Sequence, residues 1–186
     1  ELVIAPTENW TIMLSAGHLD ATFDDFCADD PFQNLPVSEP GCPPPSTNTI
    51  NASLPIIGKS NNSGKRLEDS PKWDVTFVSR YTMDLGEFGS LMPVVEFQWT
   101  DKQFARPYNL AMDEIASRRK TDLRLIWKSV EERYSIELFV ENLEDDTYYG
   151  QHLIGAEFMG GFPVQVGTFP PRIYGVRLGF QWGGEN

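Results

Sequence analysis

No run of about 18 apolar residues occurs in this sequence, so no segment of it can cross a bilayer as a helix. Cations are scarce: 15 Lys and Arg stand against 27 Asp and Glu, a net charge of −12. Nucleic acid is therefore not expected as a partner, because phosphate binding needs clustered Lys and Arg to displace counterions. Only two histidines and two cysteines are present. There is no HExxH, no Cys-x-x-Cys, no phosphate-binding glycine loop and no G-x-S-x-G. The chain is read as a non-enzyme, with no cofactor and no metal expected. It also opens on Glu1 without Met, basic n-region or apolar signal segment, and residues 1–4 read as the tail of a strand. A piece of a longer protein is expected.

What the sequence does have is alternation. Residues 72–83 place Trp73, Val75, Phe77, Tyr81 and Met83 on one face, with Asp74, Thr76 and Arg80 on the other. Residues 90–100 set Leu91, Val95, Phe97 and Trp99 against Glu96, Gln98 and Thr100. Residues 120–128 set Leu123, Leu125 and Trp127 against Asp122, Arg124 and Lys128. Residues 134–143 set Tyr134, Ile136, Leu138 and Val140 against Ser135, Glu137 and Glu141. In residues 172–182, Tyr174, Val176, Leu178, Phe180 and Trp182 alternate with Gly175, Arg177, Gly179 and Gln181. Residues 10–23 alternate through Trp10, Ile12, Leu14 and Ala16, then lose phase near His18. With residues 1–4 these make seven strand-like segments, each with one apolar face. Ile126 and Phe139 fall on the polar face, and Pro93 lies inside a strand where it cannot donate to a ladder. A mean hydropathy of −0.34 does not exclude a membrane barrel, whose strands alternate and so score as hydrophilic.

The connections add a second pattern. Short ones (residues 5–9, 84–89 and 129–133) alternate with long ones (residues 24–71, 101–119 and 144–171). Long structureless connections are unusual inside a compact soluble domain. Short turns at one end and long loops at the other characterise outer-membrane barrels. The predicted fold is thus all-β, an antiparallel up-and-down transmembrane β-barrel, present in part. Trp10, Trp127, Trp182 and Tyr134 fall at short-turn strand ends, whereas Trp73, Trp99 and Tyr174 fall at the opposite ends. Indole and phenol rings favour the membrane–water interface, and these residues are expected to form an aromatic belt. A strand of about ten residues at ~3.3 Å each, tilted ~45°, rises about 23 Å, which spans an apolar band of about 25 Å. The charged face suits a wide, hydrated lumen that seven strands cannot enclose. Two alternatives stand beside this reading: a passive porin or surface adhesin barrel, and a soluble secreted β-domain that turns its apolar face inward around a ligand.

Four motifs carry a family resemblance. Residues 139–149 contain Asn142-Leu143-Glu144-Asp145-Asp146-Thr147-Tyr148, and residues 170–180 contain Pro171-Arg172-Ile173-Tyr174-Gly175-Val176 closing on Phe180. Upstream stand Gly64, Leu67, Pro71 and Trp73, and before them Gly17-His18-Leu19-Asp20-Ala21-Thr22-Phe23. In this order they resemble the late strands of TonB-dependent outer-membrane receptors, over most of the chain apart from about residues 25–63. The resemblance implies that residues 1–186 are the C-terminal part of a barrel of about 22 strands. It implies residues 24–71, 101–119 and 144–171 as extracellular loops, with the plug and the TonB-contacting segment upstream of this chain. The implied function is active import of a scarce nutrient, an iron–siderophore complex, cobalamin or a glycan. The implied surroundings are the Gram-negative outer membrane, with its lipid and lipopolysaccharide, and the TonB complex. Gly183-Gly184-Glu185-Asn186 depart from the aromatic terminus usual in that family.

Within the long loops, Arg106, Tyr108, Arg118 and Arg119 are candidates to meet an anionic chelate through bidentate arginine contacts, or else lipopolysaccharide phosphates. Cys27 and Cys42 are a disulfide candidate, and such a bridge would stabilise its loop by about 3 kcal/mol on the chain-entropy model. The acidic clusters Asp24, Asp25, Asp29, Asp30 and Glu144, Asp145, Asp146 are read as solvated loop rather than as Ca²⁺ sites. Two glycosylation-like triplets, at Asn51 and Asn61, are read as accidental.

Overall fold

A computed structural model describes residues 1–30, 35–45, 58–147, 149–154 and 164–182, with the backbone alone for 149–154 and 164–167. Its strands are β1 (Leu2–Thr7), β2 (Trp10–His18), β3 (Cys27–Asp29), β4 (Lys59–Asn61), β5 (Trp73–Tyr81), β6 (Met83–Asp84) and β7 (Ser90–Thr100). They continue with β8 (Gln103–Phe104), β9 (Glu114–Ile115), β10 (Arg118–Lys128), β11 (Tyr134–Glu141), β12 (Tyr149–Ile154), β13 (Val164–Thr168) and β14 (Ile173–Phe180). Two single-turn 3-10 helices, at Gly86–Phe88 and Ala111–Asp113, are the only helices among the described residues.

The main sheet runs β1-β2-β5-β7-β10-β11-β14, every pair antiparallel, with β6 continuing beside β7. This is the up-and-down order expected from the sequence. The register aligns one apolar face across all seven strands. Leu14 stands opposite Phe77, Phe77 opposite Phe97, Leu123 opposite Val95 and Val140, and Leu138 opposite both Leu125 and Val176. The other face carries its own pairs: Asp74 with Thr100, Gln98 with Lys120, and Glu137 with Arg177. A slip of one residue would mix the two faces, so the pattern itself fixes the register.

Pro93 is tolerated for a reason that the ladder makes plain. The Asp101 N–H donates to Trp73 O, so odd-numbered residues of β5 aim their backbone groups at β7. The position opposite Tyr81 is therefore where a Pro93 N–H would have bonded. Pairing stops there, ending at Arg80 with Val94 and resuming at Met83 with Leu91. The other two misfits are also resolved. Phe139 lies over Gly175, where an added Cβ would come within 2.7 Å of its ring, and the Arg177 guanidinium sits 5.5 Å from the same ring. Glycine supplies the room that the aromatic ring fills. Ile126 pairs with Met92 in a small apolar patch on the otherwise polar face, beside buried Val94.

Burial runs opposite to that of a soluble domain. Among the described residues only Val94 and Ile115 are buried hydrophobics, whereas seven polar or charged residues are buried. The apolar face stays open: Tyr174 is 78% and Leu178 76% exposed, and Leu138, Val176 and Phe180 are exposed with them. Among the described residues no dry core forms behind that face, unlike the inward-facing arrangement of a ligand-binding soluble barrel.

The long connections differ from expectation in one respect. They are not structureless. The first contains the β3–β4 hairpin and a bridge between Thr22 and Arg66, the second the β8–β9 pair, and the third the β12–β13 hairpin. Backbone N–H and C=O groups need partners wherever water is excluded, and short local ladders provide them. Strand limits shift slightly as well: β1 extends to Thr7, β2 stops at His18, and β10 begins at Arg118 rather than at residue 120. Residues 31–34, 46–57, 148, 155–163 and 183–186 lie outside the described residues. The triplet at Asn51 and the closing glycines fall there, as do parts of the first and third long connections.

Candidate functional site

Antiparallel order places all three long connections at one end of the sheet, and there two side-chain networks set the shape. The first joins the first and second connections. Arg106 donates from Nε to Asp113 Oδ1 at 2.6 Å and from Nη1 to Asp30 Oδ1 at 3.4 Å. Both carboxylates belong to residues with 0% exposure, so a buried cation bridges two buried anions. Tyr108 stacks against the Arg106 guanidinium at 5.1 Å and donates its hydroxyl to Asp29 O. Burial first, then the negative charge of Asp30, pushes the Tyr108 phenol above its ordinary value of 10.0, so it stays a donor through the neutral range. Asn109 completes the joint with the left-handed backbone (φ 50°) that asparagine tolerates. Its Oδ1 accepts from Arg66 N at 2.7 Å while its Nδ2 donates to Arg66 O at 3.0 Å. On the far side of β3, Cys27 and Cys42 are bonded, with Cα atoms 5.7 Å apart.

The second network binds the feet of the third connection. Asn142, also left-handed (φ 55°), donates its backbone N–H to Asp122 Oδ1 and its Nδ2 to Asp146 O and Pro170 O. Glu144 accepts from Thr121 N at 3.0 Å and from Thr121 Oγ1 at 2.5 Å. Asp145 accepts from Arg172 N at 3.0 Å and from Arg172 Nη2 at 3.2 Å. Three residues of the motif beginning at Asn142 thus fasten β10, β11 and β14 together. Burial alone would raise the Glu144 carboxyl, but the Thr121 hydrogen bonds outweigh it and hold it below its ordinary 4.5. A carboxylate depressed on folding stabilises the fold above its ordinary value, and that contribution disappears as pH falls through the folded value. The difference in thermal midpoint between the parent and Glu144→Gln should therefore be constant near neutrality, begin to shrink as pH falls past the ordinary 4.5, and disappear only below the lower folded value. A difference that persists in acid would mean that the Thr121 bonds do not depend on the charge.

The four arginine and tyrosine candidates do not form one site. Arg106 and Tyr108 are consumed in the buried joint. Arg118 and Arg119 are neighbours on β10, and successive residues of a strand face opposite sides. Arg118 pairs with Thr100 on the charged face, while Arg119 pairs with Trp99 on the apolar face and lies 3.9 Å from Asp146. The charged face has its own ladder: Arg177 to Glu137 at 2.5 Å, Arg124 to Glu137 at 3.9 Å, and Lys120 to Asp122 at 2.8 Å. Among the described residues no group of three His, Cys, Asp or Glu is placed to hold a metal ion.

Sequence reasoning missed the roles of Asp30, Asp113, Asn142 and Glu144. Separations such as the 76 residues between Asp30 and Arg106 leave no local signal. Six of the seven expected aromatic positions lie in strands, whereas Trp182 falls two residues beyond the end of β14. Trp10 and Tyr134 begin strands beside short turns, Trp127 ends one, and Trp73, Trp99 and Tyr174 sit at the loop end. Two indoles find polar partners, Trp10 in Ser79 Oγ and Trp127 in Phe88 O.

Comparison with known proteins gives neither a family model nor a curated sequence that matches. Solved structures do match. The ferric yersiniabactin uptake receptor FyuA from Yersinia pestis is similar over 96% of this chain, with TM-score 0.62 and 14% identity. BauA, the ferric preacinetobactin receptor from Acinetobacter baumannii, is similar over 96% of it, with TM-score 0.54 and 16% identity. This chain spans 22% and 20% of their respective lengths. The resemblance read from the motifs thus holds at the level of fold: a partial antiparallel β-barrel like those of the two matched receptors.

Proposed function

We propose that this chain is the C-terminal part of an outer-membrane receptor that actively imports a scarce nutrient, with a ferric siderophore as the favoured cargo. The single observation that supports this best is the exposed apolar face, continuous in register across seven strands and backed by a charged one. Such a face is stable only against lipid, and the charged face then lines water. On this reading the three long connections lie outside the cell, the short turns face the periplasm, and lipid and lipopolysaccharide surround the aromatic rows. The cargo is held by loops and lumen residues without covalent chemistry. Energy enters through the TonB complex, which contacts segments upstream of this chain. Both structural neighbours are receptors for ferric complexes, which favours iron over cobalamin or glycans.

Deletion of the gene under iron limitation, followed by uptake assays with labelled ferric siderophores, tests the reading. Uptake should be lost in the deletion strain and equally in a strain lacking TonB. Uptake that persists without TonB would replace the active receptor by a passive barrel.

A further inference from the structure

Beneath the foot of the third connection the charged face is roofed into a pocket of about 160 Å³, walled by residues of β7, β10 and β11 and by Phe169, Pro170 and Pro171. The roof is tied down, because buried Asn142 donates from Nδ2 to Pro170 O at 3.3 Å. Three charged side chains line the pocket: Arg118, Lys120 and Glu141. Lys120 is already neutralised, its Nζ lying 2.8 Å from Asp122 Oδ2. Arg118 is not: its guanidinium lies 4.7 Å over the Phe169 ring and, among the described residues, has no carboxylate in ion-pair range. Glu141 likewise has no cation in that range among the described residues. One positive and one negative group thus share a half-enclosed pocket without neutralising each other.

We propose that this pocket binds the head of a small dipolar ligand, an amino-acid-like group whose carboxylate meets Arg118 and whose ammonium meets Glu141. Charge-assisted hydrogen bonds would form at both ends, giving each partly desolvated side chain an ionic partner. The ligand's carbon body would lie against Phe169 and the two prolines. The space suits a group of amino-acid size, either free or as one arm of a larger cargo. The proposal rests on the charged face lining a lumen that small solutes reach.

The test uses the complete polypeptide in detergent micelles and ligand-observed NMR with three probes: L-phenylalanine, N-acetyl-L-phenylalanine and L-phenylalanine methyl ester. The doubly charged probe should bind about tenfold more tightly than either capped form. Arg118→Gln should remove that advantage over the ester, and Glu141→Gln should remove it over the acetylated form. Equal binding of all three probes, or no binding, overturns the proposal, as does a loss that ignores which charge was removed. Gln98→Cys, treated with a membrane-impermeant thiol reagent, separates the two levels of failure. Labelling without probe selectivity sinks the pocket alone, whereas absence of labelling sinks the lumen reading together with it.

Discussion

Replacing Arg106 with leucine is expected to loosen the joint between the first and second long connections while leaving the main sheet intact. The guanidinium stands between Asp30 and Asp113, both fully buried, and itself keeps only 13% side-chain exposure. Its removal strips both carboxylates of their shared cation, a loss of the kind that costs about 3–5 kcal/mol. The readouts are the rate of proteolysis within the long connections and the rate at which small thiols reduce the Cys27–Cys42 bond, both of which should rise. If Arg106 were instead a hand held out to cargo, the single replacement would leave both rates unchanged and only binding would fall.

A second large effect is expected on the apolar face. Leu138 stands in the middle of β11, flanked in register by Leu125 and Val176. Leu138→Arg should destabilise the complete barrel in lipid vesicles by about 2–4 kcal/mol, the range for a cation near the bilayer midplane. Thr76→Arg, mid-strand on the charged face between Ser15 and Gln98, should change little. Equilibrium unfolding of the two variants side by side measures the contrast. Were the Leu138 face in contact with water, arginine there would be harmless and the membrane orientation would be wrong.

How much of this was legible depended on whether a residue's partner lay on a pattern or across a distance. The alternation of Trp73 through Tyr81 or of Tyr174 through Phe180 declares a strand and a face because burial on one side imposes period two. For three of the six neighbouring pairs strand order followed from turn length, since a connection of five or six residues can join only neighbours. The loop ladders were invisible because strands such as Gln103–Phe104 are too short to alternate. The Arg106 joint was invisible for another reason: a buried ion pair is a property of three segments meeting, and each segment alone resembles a solvated loop. Arg118 and Arg119 fall on opposite faces, a separation that parity alone gives. Once β10 is allowed to begin at Arg118, adjacent residues must point to opposite faces. Phe139 was also recoverable in principle, for an aromatic residue out of phase that faces Gly175 on the next strand has a ready place to lie.

Among the described residues β1 and β14 each bond to one neighbouring strand only. Along Leu2–Thr7 and Ile173–Phe180, every second backbone amide and carbonyl therefore projects sideways, ready to template another strand. Produced alone and away from lipid, the polypeptide would present two such templates together with a broad greasy surface, the combination that seeds fibrils and inclusion bodies. Aggregation on isolated expression would thus reflect an unclosed ladder rather than a defective sequence. Supplying strands that complete the ladder should suppress it more effectively than lowering temperature or concentration.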